Sequence, residues 1–266
     1  MNSKVILGFI IGAVAMAASA VAQENSNSEL AKAAQNPIAN LISLPFQNNT
    51  DFDWGPEEGT RNTLNVQPVW PFKISDNWNL ITRTIVPIVS QPALTPGQSR
   101  KNGLGDTTFT AFFSPSAASK LTWGVGPVVL IPTATDDRLG SDSWGLGPSV
   151  ILLAMPGKWV IGSLFSQVWD VGGSGDEISL FTWQPFINYN IRNGLYLTTA
   201  PIITANWEAS SGNEWTVPLG GGVGKVFRIG NQPVNSSAQL YYNVESPANV
   251  GDWQLRLQVQ LMFPKK

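Results

Sequence analysis

The chain has 266 residues, of which 43% are hydrophobic and 13% are charged, with 11 tryptophans and neither cysteine nor histidine. The length permits a single large β domain, and the charged fraction is about half of the roughly 25% that is usual in soluble domains. Without cysteine or histidine, disulfides, thiol and histidine-assisted catalysis and the common transition-metal sites are excluded. A net charge of -2 offers no basic surface, so nucleic acid is not expected as a partner.

The N-terminus has the composition of an export signal. Lys4 precedes an uncharged apolar stretch from Val5 to Ala18, and Ala22 closes an Ala-x-Ala cleavage site. Such a segment directs secretion and is too short to cross a bilayer as a helix. We therefore predict a signal peptide at 1–22, a flexible periplasmic N-terminal arm at 23–40 and an outer-membrane β-barrel at 41–266.

From residue 41 onward, apolar and polar residues alternate with the period of a β-strand that has two unlike faces. In the last segment, Leu255, Leu257 and Val259 share one face, while Arg256 and Gln258 share the other. Such segments recur at 41–54, 60–74, 78–90, 104–114, 120–133, 144–155, 158–171, 178–190, 195–208, 214–229, 233–246 and 252–263. An even strand count with alternating short and long connections is typical of bacterial outer-membrane barrels. The fold class predicted is all-β, a transmembrane antiparallel up-and-down β-barrel of about 12 strands.

Aromatic residues support this prediction, because they fall near strand ends, where barrels carry aromatic belts at the lipid interfaces. Trp144, Trp207 and Trp253 fall at outer ends, and Trp70 and Trp78 at periplasmic ends. Prolines inside the predicted strands oppose it, since proline cannot donate to a strand ladder. We expect β-bulges at Pro68, Pro87, Pro127, Pro148, Pro185, Pro201 and Pro218.

Several collinear segments carry a family resemblance. They are GLGDTTFTAFFSP at 103–115, WGVGPVVLIPTAT at 123–135, WQPFINYN at 183–190, YLTTAPIITANWEA at 196–209 and WTVPLGGGVGKVF at 215–227. The sequence resembles the outer-membrane β-barrel family associated with the meta-pathway of phenol degradation, over most of residues 40–264. The resemblance implies a transporter-like barrel for solute uptake and brings neither a substrate nor catalytic residues with it.

The inward face of the predicted barrel supplies the candidate site. Amides outnumber charges there, which favours neutral or weakly polar solutes, and opposed arginines and carboxylates could set a transverse field across a constriction. For that field we consider Arg83 and Arg256 against three acids, Asp106, Glu208 and Glu245. The full set of lumen candidates is Asn65, Gln67, Arg83, Asp106, Gln184, Asn188, Asn206, Glu208, Gln239, Tyr241, Asn243, Glu245, Arg256 and Gln258.

Catalytic motifs are weak. The glycines before Lys225 lack the spacing and the Ser or Thr of a phosphate-binding loop. Acids such as Asp51, Asp53 and the pair Asp136-Asp137 fall at or near predicted outer loops, where solvated turn acids are the simpler interpretation. We expect no enzyme activity, no cofactor and no metal site.

The function expected from the sequence is passive uptake of small, aromatic or hydrophobic solutes through an outer-membrane channel or transporter. One alternative is a closed structural or adhesive outer-membrane barrel, and another is a soluble secreted Trp-rich β-sandwich that binds carbohydrate. The expected partners are outer-membrane lipid, a small-molecule solute and the barrel-assembly machinery, for which the terminal aromatic Phe263 resembles a recognition signal.

Overall fold

The computed structural model describes residues 27–117 and 119–264, so the predicted signal peptide lies outside the described residues. Residues 27–34 form a helix, α1. Fifteen strand segments follow: β1 (Ile42–Trp54), β2 (Gly59–Val66), β3 (Val69–Lys73), β4 (Trp78–Gln91), β5 (Lys101–Leu104), β6 (Thr107–Pro115), β7 (Leu121–Ile131), β8 (Ser143–Ala154), β9 (Trp159–Gly173), β10 (Ser179–Arg192), β11 (Leu195–Thr199), β12 (Ile203–Asn206), β13 (Trp215–Ile229), β14 (Gln232–Glu245) and β15 (Trp253–Phe263).

The segments form one closed antiparallel barrel. Three of its strands are interrupted and are divided into β2 and β3, β5 and β6, and β11 and β12, which leaves twelve strands around the wall. The first and last strands pair from Ile42 with Phe263 to Asp51 with Gln254, and this pairing closes the cylinder. The prediction of a twelve-stranded barrel is confirmed. The soluble β-sandwich is wrong, because a single sheet closes on itself.

Side-chain burial alternates along strands such as β1, β8 and β15, as a barrel wall requires. In β15, Arg256 is 2% exposed and Gln260 6%, whereas Leu257 and Val259 are 46% and 45% exposed. In β15 the polar residues therefore face the lumen and the apolar residues face lipid, so the one charge of this strand lies away from the hydrocarbon. Phe263 ends this strand on the lipid face, 43% exposed. Its recognition by assembly machinery stays a prediction.

The two ends of the barrel differ. Connections such as 155–158, 193–194 and 230–231 are short turns at one end, and 92–100, 132–142 and 207–214 are longer loops at the other. Outer-membrane barrels place short turns in the periplasm and long loops outside. Aromatic pairs mark both levels, with Trp78 against Trp123 near the periplasmic turns and Trp207 against Trp215 near the outer loops.

The prolines lie where the ladder is interrupted, although bulging is only part of the reason. Pro218 lies at a register shift between β13 and β14, as expected for a bulge. Pro68 and Pro201 instead separate β2 from β3 and β11 from β12. Pro87 lies near the place where β4 changes partner from β5 to β6. A residue that lacks an N–H donor is tolerated at these positions because the partner strand does not require one there.

The described part of the segment predicted as a flexible arm, residues 27–40, packs against the inside of the barrel. Ala31 is fully buried in a cluster with Tyr196, Val226 and Met262, and Ile38 joins a second cluster that includes Phe112. Alanines at positions 31, 33 and 34 make α1 narrow enough to enter the lumen, and burial of their apolar surface favours docking there. No helix in the described ranges is long and apolar enough to cross a membrane.

The two faces of β15 provide a test of this architecture. Leu257→Arg puts a charge against lipid and should destabilise the folded barrel in vesicles, lowering its free energy of unfolding by about 2 to 4 kcal/mol. Gln258→Arg, on the adjacent inward position, should cost much less. Unfolding by urea in lipid vesicles, followed by tryptophan fluorescence, measures both changes. Equal losses would contradict the assignment of the faces.

Candidate solute pathway

The inner wall of the barrel has two chemically different sides. The large buried side chains of β7 to β10 are mainly apolar and include Val128, Ile151, Leu164 and Val168, with polar residues such as Ser149 and Asn188 among them. Buried side chains of β14, β15 and β1 are mainly amides and hydroxyls, namely Asn235, Ser237, Gln239, Gln260, Ser43, Gln47 and Asn49. In a ring of twelve strands, each of β7, β8, β9 and β10 lies six strands away from β14, β15, β1 and β2, respectively. The apolar side therefore faces the amide side across the lumen.

A cavity of about 160 Å³ lies between these sides and the N-terminal segment. Leu164 and Phe186 contribute apolar surface to it, and Gln239 and Gln258 contribute amides. Residues of the N-terminal segment between Ala33 and Leu41 also border it. A dry apolar cavity of about 150 Å³ can hold benzene, so the volume is sufficient for a small ring compound.

The N-terminal segment is held in the lumen by specific polar contacts as well as by apolar packing. Gln35 Nε2 donates to Asn190 Oδ1, and Asn190 Nδ2 donates back to Gln35 Oε1, each at 3.0 Å. Lys32 Nζ donates to the carbonyl of Gly157 in a periplasmic turn. We call residues 27–41 the plug, because they occupy the periplasmic end of the lumen.

Arg256 is buried in the lumen and bonded to neutral oxygens. Its Nε donates to Asn49 Oδ1 at 2.9 Å, Nη1 to the Ala200 carbonyl at 2.7 Å and Nη2 to Gln254 Oε1 at 3.0 Å. The guanidinium also lies 4.8 Å from the centre of the Tyr241 ring. Ala200 lies in the gap between β11 and β12, and its N–H donates to Tyr241 Oη at 2.9 Å. Arg256 and Tyr241 thus satisfy the backbone of an interrupted strand.

The other lumen charges are mostly positive. Arg83 Nη2 donates to Gln67 Oε1 at 2.6 Å and lies beside the cavity. Arg61 pairs in register with Asp51 and stacks on Trp54, 4.6 Å from its ring centre. Asp51 is 8% exposed and accepts a hydrogen bond from Gln254, so it belongs to the lumen and not to an outer loop. Three guanidinium groups, counting Arg256, therefore share the lumen with this carboxylate.

The acids predicted to oppose the arginines lie elsewhere. Asp106 Oδ2 accepts from the Ser141 N–H at 2.7 Å and hydroxyl at 2.9 Å, and its Oδ1 accepts from the Ala134 N–H at 3.2 Å. It therefore fastens the outer loop 132–142. Glu208 and Glu245 are exposed at the outer rim. In the described parts of the chain, no arginine of the lumen forms a salt bridge with any of the three.

The same outer loop is held by a second charged contact. Lys101 forms a salt bridge with Asp136, and Arg138 Nε lies 3.2 Å from the same carboxylate. The hydrogen bond from Lys101 lowers the pKa of Asp136 to about 2. Because this pKa lies below the ordinary value of 3.8, the contact stabilises the loop above that pH and weakens only as the pH falls toward 2.

Asn206 is also exposed, contrary to its predicted inward position. Along β11, Tyr196 and Thr198 face inward, but along β12 the inward residues are Ile203 and Ala205. The break around Pro201 shifts the alternation by one residue, so the residues of β12 point to the opposite faces from those that the alternation of β11 predicts. This shift moves both Asn206 and Glu208 out of the lumen.

The remaining candidates lie on the inner side of the wall. Gln67, Gln184, Asn188, Gln239 and Gln258 border the cavity, and Tyr241 is fully buried beside Arg256. Asn65 pairs with Gln47 and shares its inward face. Asn243 lies nearer the outer end of the barrel, where its Nδ2 donates to the Gly251 carbonyl. Whether any of them contacts a solute stays a prediction.

Sequence reasoning missed other residues of this pathway. Gln47, Asn49 and Asp51 alternate strictly along β1, and this pattern could have identified them. Gln35 and Ile38 carry no comparable signal, because a short polar segment gives no indication that it enters a barrel. Among the described residues, no group of three potential ligands could hold a metal ion.

A closed wall with an apolar outer surface, two aromatic belts and short periplasmic turns defines the class of protein as a bacterial outer-membrane β-barrel. The chain belongs to the family described as "Putative MetA-pathway of phenol degradation", which matches residues 57–197. A comparison with curated protein sequences finds no match.

One solved structure shows the same fold at low sequence identity, and others are similar at lower TM-scores. The COG4313 outer membrane channel from Pseudomonas putida F1 is 15% identical, with a TM-score of 0.65, over 84% of this chain and 95% of that one. A FadL homologue from Pseudomonas aeruginosa is 10% identical, with a TM-score of 0.46, over 86% and 92%. The Salmonella typhi outer membrane phospholipase dimer with bound calcium is 15% identical, with a TM-score of 0.46, over 85% and 91%.

The contacts of Arg256 predict a structural role that can be measured. Arg256→Met should leave the Ala200 carbonyl buried without its charged donor, which costs about 1 to 3 kcal/mol of unfolding free energy. Gln258→Ala, the next inward position on the same strand, is the matched control and should cost less. Urea unfolding in vesicles compares the two variants, and a larger loss for Gln258→Ala would contradict the role given to Arg256.

Proposed function

We propose that this protein is an outer-membrane channel for passive uptake of small, uncharged solutes that carry a large apolar surface, aromatic compounds included. The observation that carries the proposal is the two-sided lumen, in which an apolar wall faces a wall of amides. A binding path of this kind suits a molecule with a ring or hydrocarbon side and one polar group.

The chemistry of the two walls argues for this class of solute. Apolar side chains of β7 to β10 remove ring or hydrocarbon surface from water, which is favourable in proportion to the area buried. Amides of β14, β15 and β1 can donate to and accept from a hydroxyl or amino group. A charged solute would lose hydration against the apolar wall, and a cation would in addition be repelled by the arginines of the lumen.

The family adds independent support for aromatic solutes. Its description names phenol degradation, and its match covers the segments that contain β7 to β10. The structure of similar fold from Pseudomonas putida F1 is described as an outer membrane channel. Together they favour uptake of ring compounds over a general pore for ions.

Passage through the lumen requires the plug to move. The polar contacts of the plug to the wall include the amide pair between Gln35 and Asn190 and the bond from Lys32 to Gly157. A hydrogen bond between neutral groups contributes about 0.5 to 1.5 kcal/mol, and one to a charged group such as the Lys32 ammonium about 1.5 to 3 kcal/mol. These bonds join the plug to the wall and not one strand to the next, so displacement of the plug is compatible with an intact barrel wall.

Removing the plug should open the lumen. Deletion of residues 27–40 should raise single-channel conductance in planar bilayers at least severalfold over the intact protein. Where the deletion variant fails to insert into the membrane, Lys32→Ala combined with Gln35→Ala loosens the same segment and should give more frequent channel openings.

The protein should also carry an aromatic solute. Uptake of radiolabelled 1-naphthol by intact porin-deficient cells that contain the protein should exceed the uptake by cells without it.

A closed structural or adhesive barrel is the second candidate, and the apolar cluster around Ile38 favours it, because Ile81, Phe112 and Ile151 fill the lumen beside the plug. This candidate predicts no conductance from either plug variant and no gain in 1-naphthol uptake. A correctly inserted protein with both results would replace the channel proposal by the structural one.

A further inference from the structure

We infer that the periplasmic rim of the barrel binds an anionic phospholipid of the inner leaflet, and that the phosphate of this lipid clamps the plug to the wall. Three observations carry the inference: a basic pocket between the plug and the wall, an apolar groove beside it on the lipid face, and polar contacts of the plug at the edge of the pocket. The lipid site is independent of the solute, whereas its control of the channel rests on the proposed function.

The first observation is the basic pocket. It has a volume of about 200 Å³ and lies where the plug meets the periplasmic turns. Lys32 borders it from the plug, Lys158 from the turn between β8 and β9, and Arg192 from the end of β10. Of the described residues that border it, none is acidic. Cations from the plug and from two places on the wall therefore converge on one small cavity.

The positive charge of this pocket is not neutralised within the described ranges 27–117 and 119–264, where none of the three cations forms a salt bridge. The Lys32 ammonium has three N–H donors and bonds the neutral carbonyl of Gly157. Glu29, the acid of α1, is exposed and does not border the pocket. Because like charges repel each other, an anion bound between these cations stabilises the docked plug.

The second observation is the apolar groove. Trp159, Tyr189 and Leu197 are registered partners on β9, β10 and β11, and they border a groove of about 310 Å³ on the lipid face. Trp159 directly follows Lys158 of the pocket, and Leu197 lies two residues beyond Leu195 of the pocket. Since a strand rises about 3.3 Å per residue, the groove begins within a few ångströms of the cations.

Pocket and groove together fit a phospholipid. A phosphodiester carries one negative charge and accepts charge-assisted hydrogen bonds from lysine and arginine, and burial of an acyl chain in the groove is favourable. Trp159 and Tyr189 pack against each other with their ring centres 4.7 Å apart, and such aromatic residues mark the level where headgroups meet hydrocarbon.

The charge of the pocket selects among lipids. An anionic headgroup is favoured over a zwitterionic one, because basic residues attract anionic lipids and would repel the ammonium of a zwitterionic headgroup. Free phosphate fits the charge of the pocket but has no chain to occupy the groove.

The third observation joins the pocket to the plug. Gly157, which accepts the bond from Lys32, borders the pocket, and so does Asn190, which exchanges two bonds with Gln35. The backbone N–H and Nδ2 of Asn190 both donate to the Lys158 carbonyl, at 2.8 and 3.1 Å. A phosphate in the pocket contacts Lys32 of the plug and Lys158 of the wall together. Release of the plug then requires the loss of this bridge as well as of the direct bonds.

The test measures docking of the plug directly. Ala34→Cys places a thiol in a plug residue that packs against the cluster of Tyr196 and Met262, in a chain that has no cysteine of its own. Its rate of reaction with N-ethylmaleimide, an uncharged reagent, is measured in nanodiscs of phosphatidylcholine and in nanodiscs of equal parts of phosphatidylcholine and phosphatidylglycerol. Phosphatidylglycerol should slow the reaction about fivefold, because the clamped plug shields the thiol.

Two pairs of substitutions, each made together with Ala34→Cys, locate the effect. Lys158→Gln with Arg192→Gln removes the wall cations of the pocket and should give equal rates in the two lipids. The matched control is Lys120→Gln with Arg228→Gln, which removes two exposed cations of the periplasmic end outside the pocket and should keep the fivefold difference. Native mass spectrometry counts bound phosphatidylglycerol, and the protein without either pair should retain one molecule more than the Lys158 and Arg192 variant.

The opposite results are equally specific. Equal rates in the two lipids for Ala34→Cys alone, or equal lipid counts with and without the Lys158 and Arg192 substitutions, overturn the inference. A control pair that abolishes the difference also overturns it, because the effect then reports the charge of the whole surface. Millimolar inorganic phosphate that slows the reaction as much in phosphatidylcholine overturns the lipid as the occupant.

These readouts do not depend on solute passage. Absence of 1-naphthol uptake therefore overturns the proposed function and leaves the lipid site in place, whereas failure of the lipid to slow the maleimide reaction overturns the clamp and leaves the channel in place.

Discussion

The structure depends on one constraint: within a bilayer, every backbone N–H and carbonyl must find a partner inside the protein. A closed antiparallel barrel meets it almost everywhere by pairing each strand with two neighbours. This chain meets it with three interrupted strands and several prolines, so the ladder alone is not sufficient. The remaining partners come from side chains in the lumen, and the polar interior serves the wall as well as the solute.

Arg256 illustrates the consequence. An unpaired guanidinium in an enclosed lumen is costly unless its donors are satisfied, and here they are satisfied by Asn49, Gln254 and the Ala200 carbonyl. The charge and the broken strand thus compensate each other. A carboxylate opposite Arg256 would compete for the same donors and leave the Ala200 carbonyl without one. This explains why the lumen can hold more cations than acids without forming salt bridges.

The sequence predicted the barrel and most of its inward residues because the strand period is two and the two faces differ strongly in polarity. Two of its failures have one physical cause in common. A break in a strand shifts the alternation by one residue, and nothing in the alternation itself shows where the shift occurs. Asn206 and Glu208 were therefore assigned to the lumen although both are exposed. The plug was missed for a different reason, since its docking depends on tertiary burial of Ala31 and Ile38 and not on any local pattern.

The interruptions of the barrel wall are closed in two different ways. Two breaks are covered by backbone hydrogen bonds from adjacent residues: Gln67 N–H donates to the Pro45 carbonyl beside β3, and Gly105 N–H donates to the Pro87 carbonyl beside β6. At the third, Pro201 and its neighbours face a strand that contains Pro218, and side chains supply the contacts instead. Backbone bonds in a ladder break cooperatively, but side-chain bonds can break one at a time. Closure of the wall at this third break therefore depends on the side chains of Arg256, Tyr241 and Thr199 and not on the strand ladder.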